Sequence, residues 1–246
     1  MPRQQQPATR PPRRRSYDQF CATARSLDSV GDRWTLLIVR ELLAGPRRYT
    51  DLHADLPGVS TDVLASRLKD MEQNGLATRR RLPPPAAASV YELTERGRGL
   101  LPVLAALAEW GAPALVERRP TDAVRAHWFA LPLLRALDGV AHPGVVEVHL
   151  DEGEFHVRAG AGASAGAGAA GRAGEDGAAV ADDGRSSVGA VVYGDGPAAH
   201  ADARITLDAE VCLALGRGEL TLAEAVGDGR AEVVGDGPLA VELRGE

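Results

Sequence analysis

The 246-residue chain is 44% apolar and 25% charged, enough for one large core or two small ones, and its two cysteines, Cys21 and Cys212, exclude a disulfide scaffold and point to a reducing compartment. The net charge of −6 hides two unlike halves: residues 1–120 hold 19 Lys and Arg against 13 Asp and Glu, whereas residues 121–246 hold 9 against 21, which suggests two domains with different partners. Glu109 interrupts the longest apolar run, residues 100–116, so nothing approaches the roughly 18 residues of a membrane span; secreted and membrane classes are disfavoured and a cytoplasmic location is expected.

Residues 1–16 carry Pro2, Pro7, Pro11, Pro12 and five arginines with almost no apolar content, and are expected to form a disordered basic tail. Arg13-Arg14-Arg15 lacks the apolar segment that would make it a twin-arginine signal. Asp32 can cap a helix over residues 33–44, with Trp34, Leu37, Ile38 and Leu42 on one stripe and Gly45-Pro46 ending it. Thr50 can cap a shorter helix to residue 56, and Pro57-Gly58-Val59 is a tight turn. Ser60 can cap a third helix reaching Asn74-Gly75, with Leu64, Leu68 and Met71 on its buried stripe and Asp62, Ser66, Lys69 and Gln73 opposite. Two short helices joined by a turn fit a helix-turn-helix and a small helical bundle equally well. The strand patterns at residues 76–82 and 89–93, around a Pro/Ala loop, tip the reading to a winged helix. Arg79, Arg80 and Arg81 in the first strand can meet phosphates, or be the arginines of a solvated edge strand. Thr94 can cap a long apolar helix to about residue 116, bent at Pro102 and broken near Gly111-Ala112-Pro113.

The run Cys21-Ala22-Thr23-Ala24-Arg25-Ser26-Leu27, then Gly31-Asp32-Arg33-Trp34-Thr35-Leu36-Leu37-Ile38-Val39-Arg40-Glu41-Leu42, Gly45-Pro46-Arg47-Arg48-Tyr49, Leu56-Pro57-Gly58-Val59-Ser60, Val63-Leu64-Ala65-Ser66-Arg67-Leu68, Asn74-Gly75-Leu76 and Tyr91-Glu92-Leu93-Thr94-Glu95-Arg96-Gly97 resembles the HxlR family of bacterial regulators over about residues 17–112. The resemblance implies a winged-helix protein that binds double-stranded DNA as a homodimer, pairing through terminal helices near residues 17–27 and 100–114. It also places Cys21 at a position where some members carry a redox-reactive thiol; Arg25 at i+4 could lower the pKa of that thiol. The wing tip, residues 83–88, lacks the basic residue usual in the family.

In the second half, Asp122 can start a helix bearing Trp128, Phe129, Leu131, Leu133, Leu134 and Leu137. Strands are expected at residues 145–150, 154–158, 188–193, 203–207 and 230–234, with helices capped by Asp208 and Thr221. Residues 160–187 read as a flexible Gly/Ala loop. The segments Ala203-Arg204-Ile205-Thr206-Leu207-Asp208, Leu213-Ala214-Leu215-Gly216-Arg217-Gly218-Glu219-Leu220, Ala223-Glu224-Ala225 and Gly229-Arg230-Ala231-Glu232-Val233-Val234-Gly235-Asp236 resemble the sterol-carrier-protein type of domain over about residues 122–240, which implies an α+β fold enclosing an apolar cavity.

The expected architecture is therefore α+β, with a winged helix-turn-helix at residues 17–118 and a sterol-carrier-like ligand-binding domain at residues 121–246. DNA contact is assigned to Arg47, Arg48, Ser60, Thr61, Ser66, Arg67, Lys69, Arg79, Arg80 and Arg81. A pocket for an apolar small-molecule effector is assigned to Trp128, Phe129, Leu133, Leu137, Val148, Leu207 and Leu215, and a redox role to Cys21. The rival reading is a lipid or small-ligand module whose winged helix serves protein association. His127, His142, His149, His156 and His200 pair with no nucleophile, and His149 and His156, expected in neighbouring strands, read as surface or edge residues. With no phosphate-loop or zinc spacing either, no catalytic residue, metal ligand or cofactor is assigned, and no enzyme is expected.

Overall fold

The computed structural model describes residues 16–84, 87–115, 118–160 and 192–246. The basic tail except Ser16, the Gly/Ala loop except Gly160, and most of the strand expected at 188–193 lie outside the described residues.

The first half begins with α1 (Ala22–Val30) and α2 (Thr35–Leu43). Asp32 accepts the backbone N–H of Trp34 at 3.1 Å, so it caps the turn leading into α2 rather than the helix itself. The two-residue β1 (Arg47–Arg48) leads to α3 (Tyr49–Asp55). Thr50 lies inside α3; the backbone N–H of Arg48 is instead accepted by Asp51 at 3.3 Å. Ser60 caps α4 (Thr61–Gln73), its hydroxyl accepting from Val63 N at 3.3 Å, and Leu64, Leu68 and Met71 are buried as their spacing required. Each such side chain contributes about 1.5–3 kcal/mol by leaving water. Gly75 leaves α4 with φ +65°, a left-handed turn glycine makes without steric cost.

That turn delivers the chain into β2 (Ala77–Arg81), which pairs antiparallel with β3 (Ser89–Leu93); β1 adds on the other side, giving the order β1-β3-β2. The expected long helix is two helices. Thr94 caps only α5 (Glu95–Arg98), and the chain restarts as α6 (Leu101–Gly111) because Pro102, which has no N–H to give, fits only a first turn. Thr94 also donates to Gly75 O at 2.6 Å, tying the hairpin exit to the end of α4.

In the second half, Pro132 confines the expected long helix. A 3₁₀ turn, Ala126–Phe129, precedes the short α7 (Ala130–Ala136), and Asp122 instead accepts from Arg119. A mixed five-stranded sheet follows, ordered β6-β5-β4-β7-β8, from β4 (Gly144–Leu150), β5 (Gly153–Ala159), β6 (Tyr193–Asp195), β7 (Ala203–Leu207) and β8 (Ala231–Val234). β4 and β5 form the expected hairpin, and β4 runs parallel to β7. Asp208 caps α8 (Ala209–Arg217), Thr221 caps α9 (Leu222–Gly227) in a reciprocal capping box with Glu224, and α10 (Pro238–Arg244) closes the chain. Val146, Val148, Phe155, Val157 and Ile205 fill the inner sheet face without exposure, while Glu147, His149, His156 and Arg204 stand on the opposite face in neighbouring registers.

Candidate nucleic-acid interface

The outer face of α4 follows from its helical period. With Leu64, Leu68 and Met71 turned inward, Thr61, Ser66 and Lys69 are exposed. Ser60 is exposed too, but its hydroxyl is used as the cap. The Tyr49 hydroxyl donates to Thr61 O at 2.8 Å, fixing the start of α4 against α3. Arg67 turns back into the protein, pairing with Asp32 at 3.2 Å and Asp70 at 2.8 Å. In the hairpin, Arg79, Arg80 and Arg81 are all exposed. Arg80 is held by Glu92 across the strand pair at 3.1 Å, which raises its pKa further, and Arg79 lies 6.0 Å from the Tyr91 ring. Arg48 is exposed, but Arg47 is largely covered and bonds Asp195 of the second half at 3.0 Å. Arg47 and Arg67 therefore have carboxylate partners within the protein, which the sequence assignment to DNA did not foresee, whereas Lys69, Arg79 and Arg81 present their charge outward.

Between the two halves lies a cluster that the sequence assignments missed. Glu41 of α2 is fully buried. Its Oε1 accepts from Arg40 at 2.8 Å and from the Trp128 indole N–H at 2.9 Å, and its Oε2 lies 2.7 Å from His127 Nε2. His127, 1% exposed, places its Nδ1 3.2 Å from Asp195, while the buried Tyr193 hydroxyl donates to Arg40 O at 2.8 Å. The Arg40 guanidinium covers the Trp128 ring at 4.0 Å. Burial alone would raise the Glu41 pKa, but the hydrogen bonds and charges of His127 and Arg40 outweigh it and hold the carboxyl below its usual range. Burial would likewise raise the Asp195 pKa, but the charges and hydrogen bonds of His127 and Arg47 outweigh it and hold that carboxyl low too. His127 thus joins the two halves, a place the sequence reading assigned to no histidine. Its signal was in α2: Glu41 sits between Ile38 and Leu42 on the apolar stripe, and a carboxylate there needs a buried donor.

The assigned effector pocket is divided. Leu133, Val148, Leu207 and Leu215 are packed core on the inner side of the sheet and its helices, at most 6% exposed. Trp128, Phe129 and Leu137 instead line an open cleft of about 2280 Å³ whose other wall comes from α2 and α6 of the first half. Cys21 is exposed at the start of α1, and hydrogen bonds from the backbone of Ala24 and Thr23 lower its thiol pKa. Arg25 is not the cause; it pairs with Asp28 at 3.7 Å. Glu147, His149 and Glu154 bring donor atoms within 4.8 Å of one another, but Arg204 lies 3.0 Å from Glu147 Oε1 and already neutralises the carboxylate a cation would need.

The sequence profile of the HxlR-like helix-turn-helix family matches residues 29–119. The chain is 36% identical over 86 residues to the uncharacterized HTH-type transcriptional regulator YvaP of Bacillus subtilis (strain 168), a match covering 35% of this chain and 80% of that one. It is 37% identical over 81 residues to the HTH-type transcriptional regulator YodB of the same organism, covering 33% and 72%. The solved reduced form of YodB from B. subtilis overlays with a TM-score of 0.36 at 32% identity, covering 41% of this chain and 100% of that one. More than half of the chain lies outside these likenesses. Both relatives are named as regulators, not enzymes. No helix among the described residues is long and apolar enough to cross a membrane.

Proposed function

The chain belongs to the HxlR-like helix-turn-helix family, and we propose that it is a regulator binding operator DNA as a homodimer, with α4 in the major groove and the β2–β3 hairpin on the flanking backbone. The observation that carries this is the outward face of α4. Thr61, Ser66 and Lys69 are exposed over a buried leucine stripe, and Arg79 and Arg81 project from the strand that follows directly. Dimerisation is assigned to the terminal helices, where Phe20 and Leu27 near α1 and Val103, Leu107 and Trp110 on α6 are large apolar side chains left exposed.

Residues 17–118 and 121–246 are read as two units. The second, whose mixed sheet carries helices on one face, fits the sterol-carrier-like architecture that its sequence resembles and is read as a sensor of an apolar small molecule. Coupling runs through Glu41 and His127, since a ligand that favours one arrangement of the halves must work against those bonds. The test is genome-wide and in vitro binding by the intact dimer. Enrichment of a twofold-symmetric DNA site supports the reading, and a protein that binds no DNA site makes the winged helix a protein-association module. A thiol-sensing reading has its own observation, the exposed, pKa-lowered Cys21, and is tested by whether Cys21→Ser abolishes the response to oxidants.

A further inference from the structure

α6 has three faces, and their separation identifies a ligand site. Taking Leu104, 6% exposed, as the face against its own core, the helical period of about 100° per residue puts Val103, Leu107 and Trp110 on one flank and Leu101, Ala105 and Ala108 on the other. The first flank holds the large exposed side chains suited to a second copy. The second lines the cleft facing α7 and α8, so pairing of two copies and filling of the cleft do not compete for the same surface.

We infer that this interdomain cleft binds an uncharged, largely apolar small molecule between α2 and α6 on one side and α7 and α8 on the other. The inference rests on the sensor reading above and moves the site from the interior of the second domain, where Leu133, Val148, Leu207 and Leu215 are already packed, to the boundary between the halves. The walls are Trp34 and Leu37, Ala105 and Ala108, Leu134 and Leu213, with Trp128 and Phe129 also lining the cleft. Of the charged side chains in the lining, Arg40 is paired with Glu41 at 2.7 Å, Arg135 with Glu109 at 2.7 Å and Arg217 with Glu219 at 2.8 Å, while Arg33, Arg98, Glu95, Asp138 and Glu210 line it elsewhere. A charged ligand seated against Trp128 would have to break the Arg40–Glu41 pair, whereas a neutral apolar one need displace only water. The cleft far exceeds the roughly 300–1,000 Å³ of a common small-molecule site, so the ligand fills part of it, against the aromatic residues. Its two walls belong to different halves, so occupancy bears directly on their spacing.

The experiment uses the intact chain and Nile red, a neutral apolar fluorophore. Saturable, blue-shifted emission is expected from the native protein. Ala105→Phe fills the cleft from α6 and Leu213→Glu makes the α8 wall polar; each should weaken Nile red binding about tenfold or more. Trp110→Ala, on the opposite flank of α6, should leave it unchanged. Thermal unfolding of each variant confirms that it is folded, and the two wall variants sit on different elements, so either alone keeps the test decisive. Absence of saturable binding, or binding lost in Trp110→Ala and retained in both wall variants, overturns the inference. Operator binding measured on the same samples without Nile red separates the two readings. DNA binding with no Nile red binding removes the cleft site alone, and Nile red in the cleft without DNA binding leaves the site standing while the regulator reading fails.

Discussion

Replacing Glu41 by Gln keeps the size of the side chain and removes its charge at the point where the two halves meet. The carboxylate has four donor atoms around it: Arg40 Nε and an Arg40 terminal nitrogen on Oε1, Trp128 Nε1 also on Oε1, and His127 Nε2 against Oε2. An amide offers one acceptor, so either the Arg40–Trp128 side or the His127 side must face an NH₂ group. Hydrogen bonds to a charged group are worth about 1.5–3 kcal/mol each, and removing one partner of a buried pair costs about 3–5 kcal/mol because the remaining charge is stranded. Full burial of Glu41 leaves solvent little room to soften this, so a loss of about 3 kcal/mol is expected, a large share of the roughly 5–15 kcal/mol that holds a domain together. Urea unfolding followed by fluorescence of a Trp34→Phe, Trp110→Phe background, which leaves Trp128 as reporter, and by circular dichroism should show a lower midpoint and, because the lost bonds bridge the halves, separation of the two signals. A double-mutant cycle with His127→Asn should give coupling above about 1 kcal/mol. Loss below about 0.5 kcal/mol with superimposed transitions would refute the reasoning.

Lys69→Ala and Arg81→Ala should each weaken operator binding and reduce the magnitude of the salt slope by about 1, whereas Arg67→Ala, removing a residue already paired with Asp32 and Asp70, should act mainly on stability; titrations at several salt concentrations distinguish these. Leu107→Glu should give a folded monomer by sedimentation, while Leu104→Glu, placing a charge in the core, should lower the melting temperature sharply before assembly is affected. Glu41 and Asp195 are both held below their usual carboxyl range, so the stability they add is fully present above the unfolded carboxylate pKa values and is lost as pH falls through the folded ones; urea midpoints from neutral pH to about 3 should drop less steeply in Glu41→Gln. Gly97→Ala would drive a Cβ into the Leu76 carbonyl oxygen at the join of the hairpin and α5, so marked destabilisation is expected in thermal unfolding.

Much of the first half could be read from local chemistry. Ser60 and Gly75 bracket α4, the spacing of Leu64, Leu68 and Met71 sets its buried side, and the outward position of Lys69 follows without any tertiary information. Reading failed where a residue's partner is distant in the chain. Arg47 looks like any basic residue at the start of a helix, and only Asp195, 148 positions away, shows that it faces the second half. His127 carries no periodic signal, so its place between Glu41 and Asp195 could not be seen from residues 120–130 alone. The assigned pocket is divided between core and cleft for a related reason. Alternating aliphatic residues such as Val148 and Leu207 are consistent with a cavity wall or a solid core, and packing against helices decides which. What α2 does disclose is more useful than any of these: a glutamate among Ile38, Leu42 and Leu43 is costly to bury and persists only where donors converge on it. In this chain the donors come from Trp128 and His127, so the buried glutamate marks one of the places where the two halves are bound together.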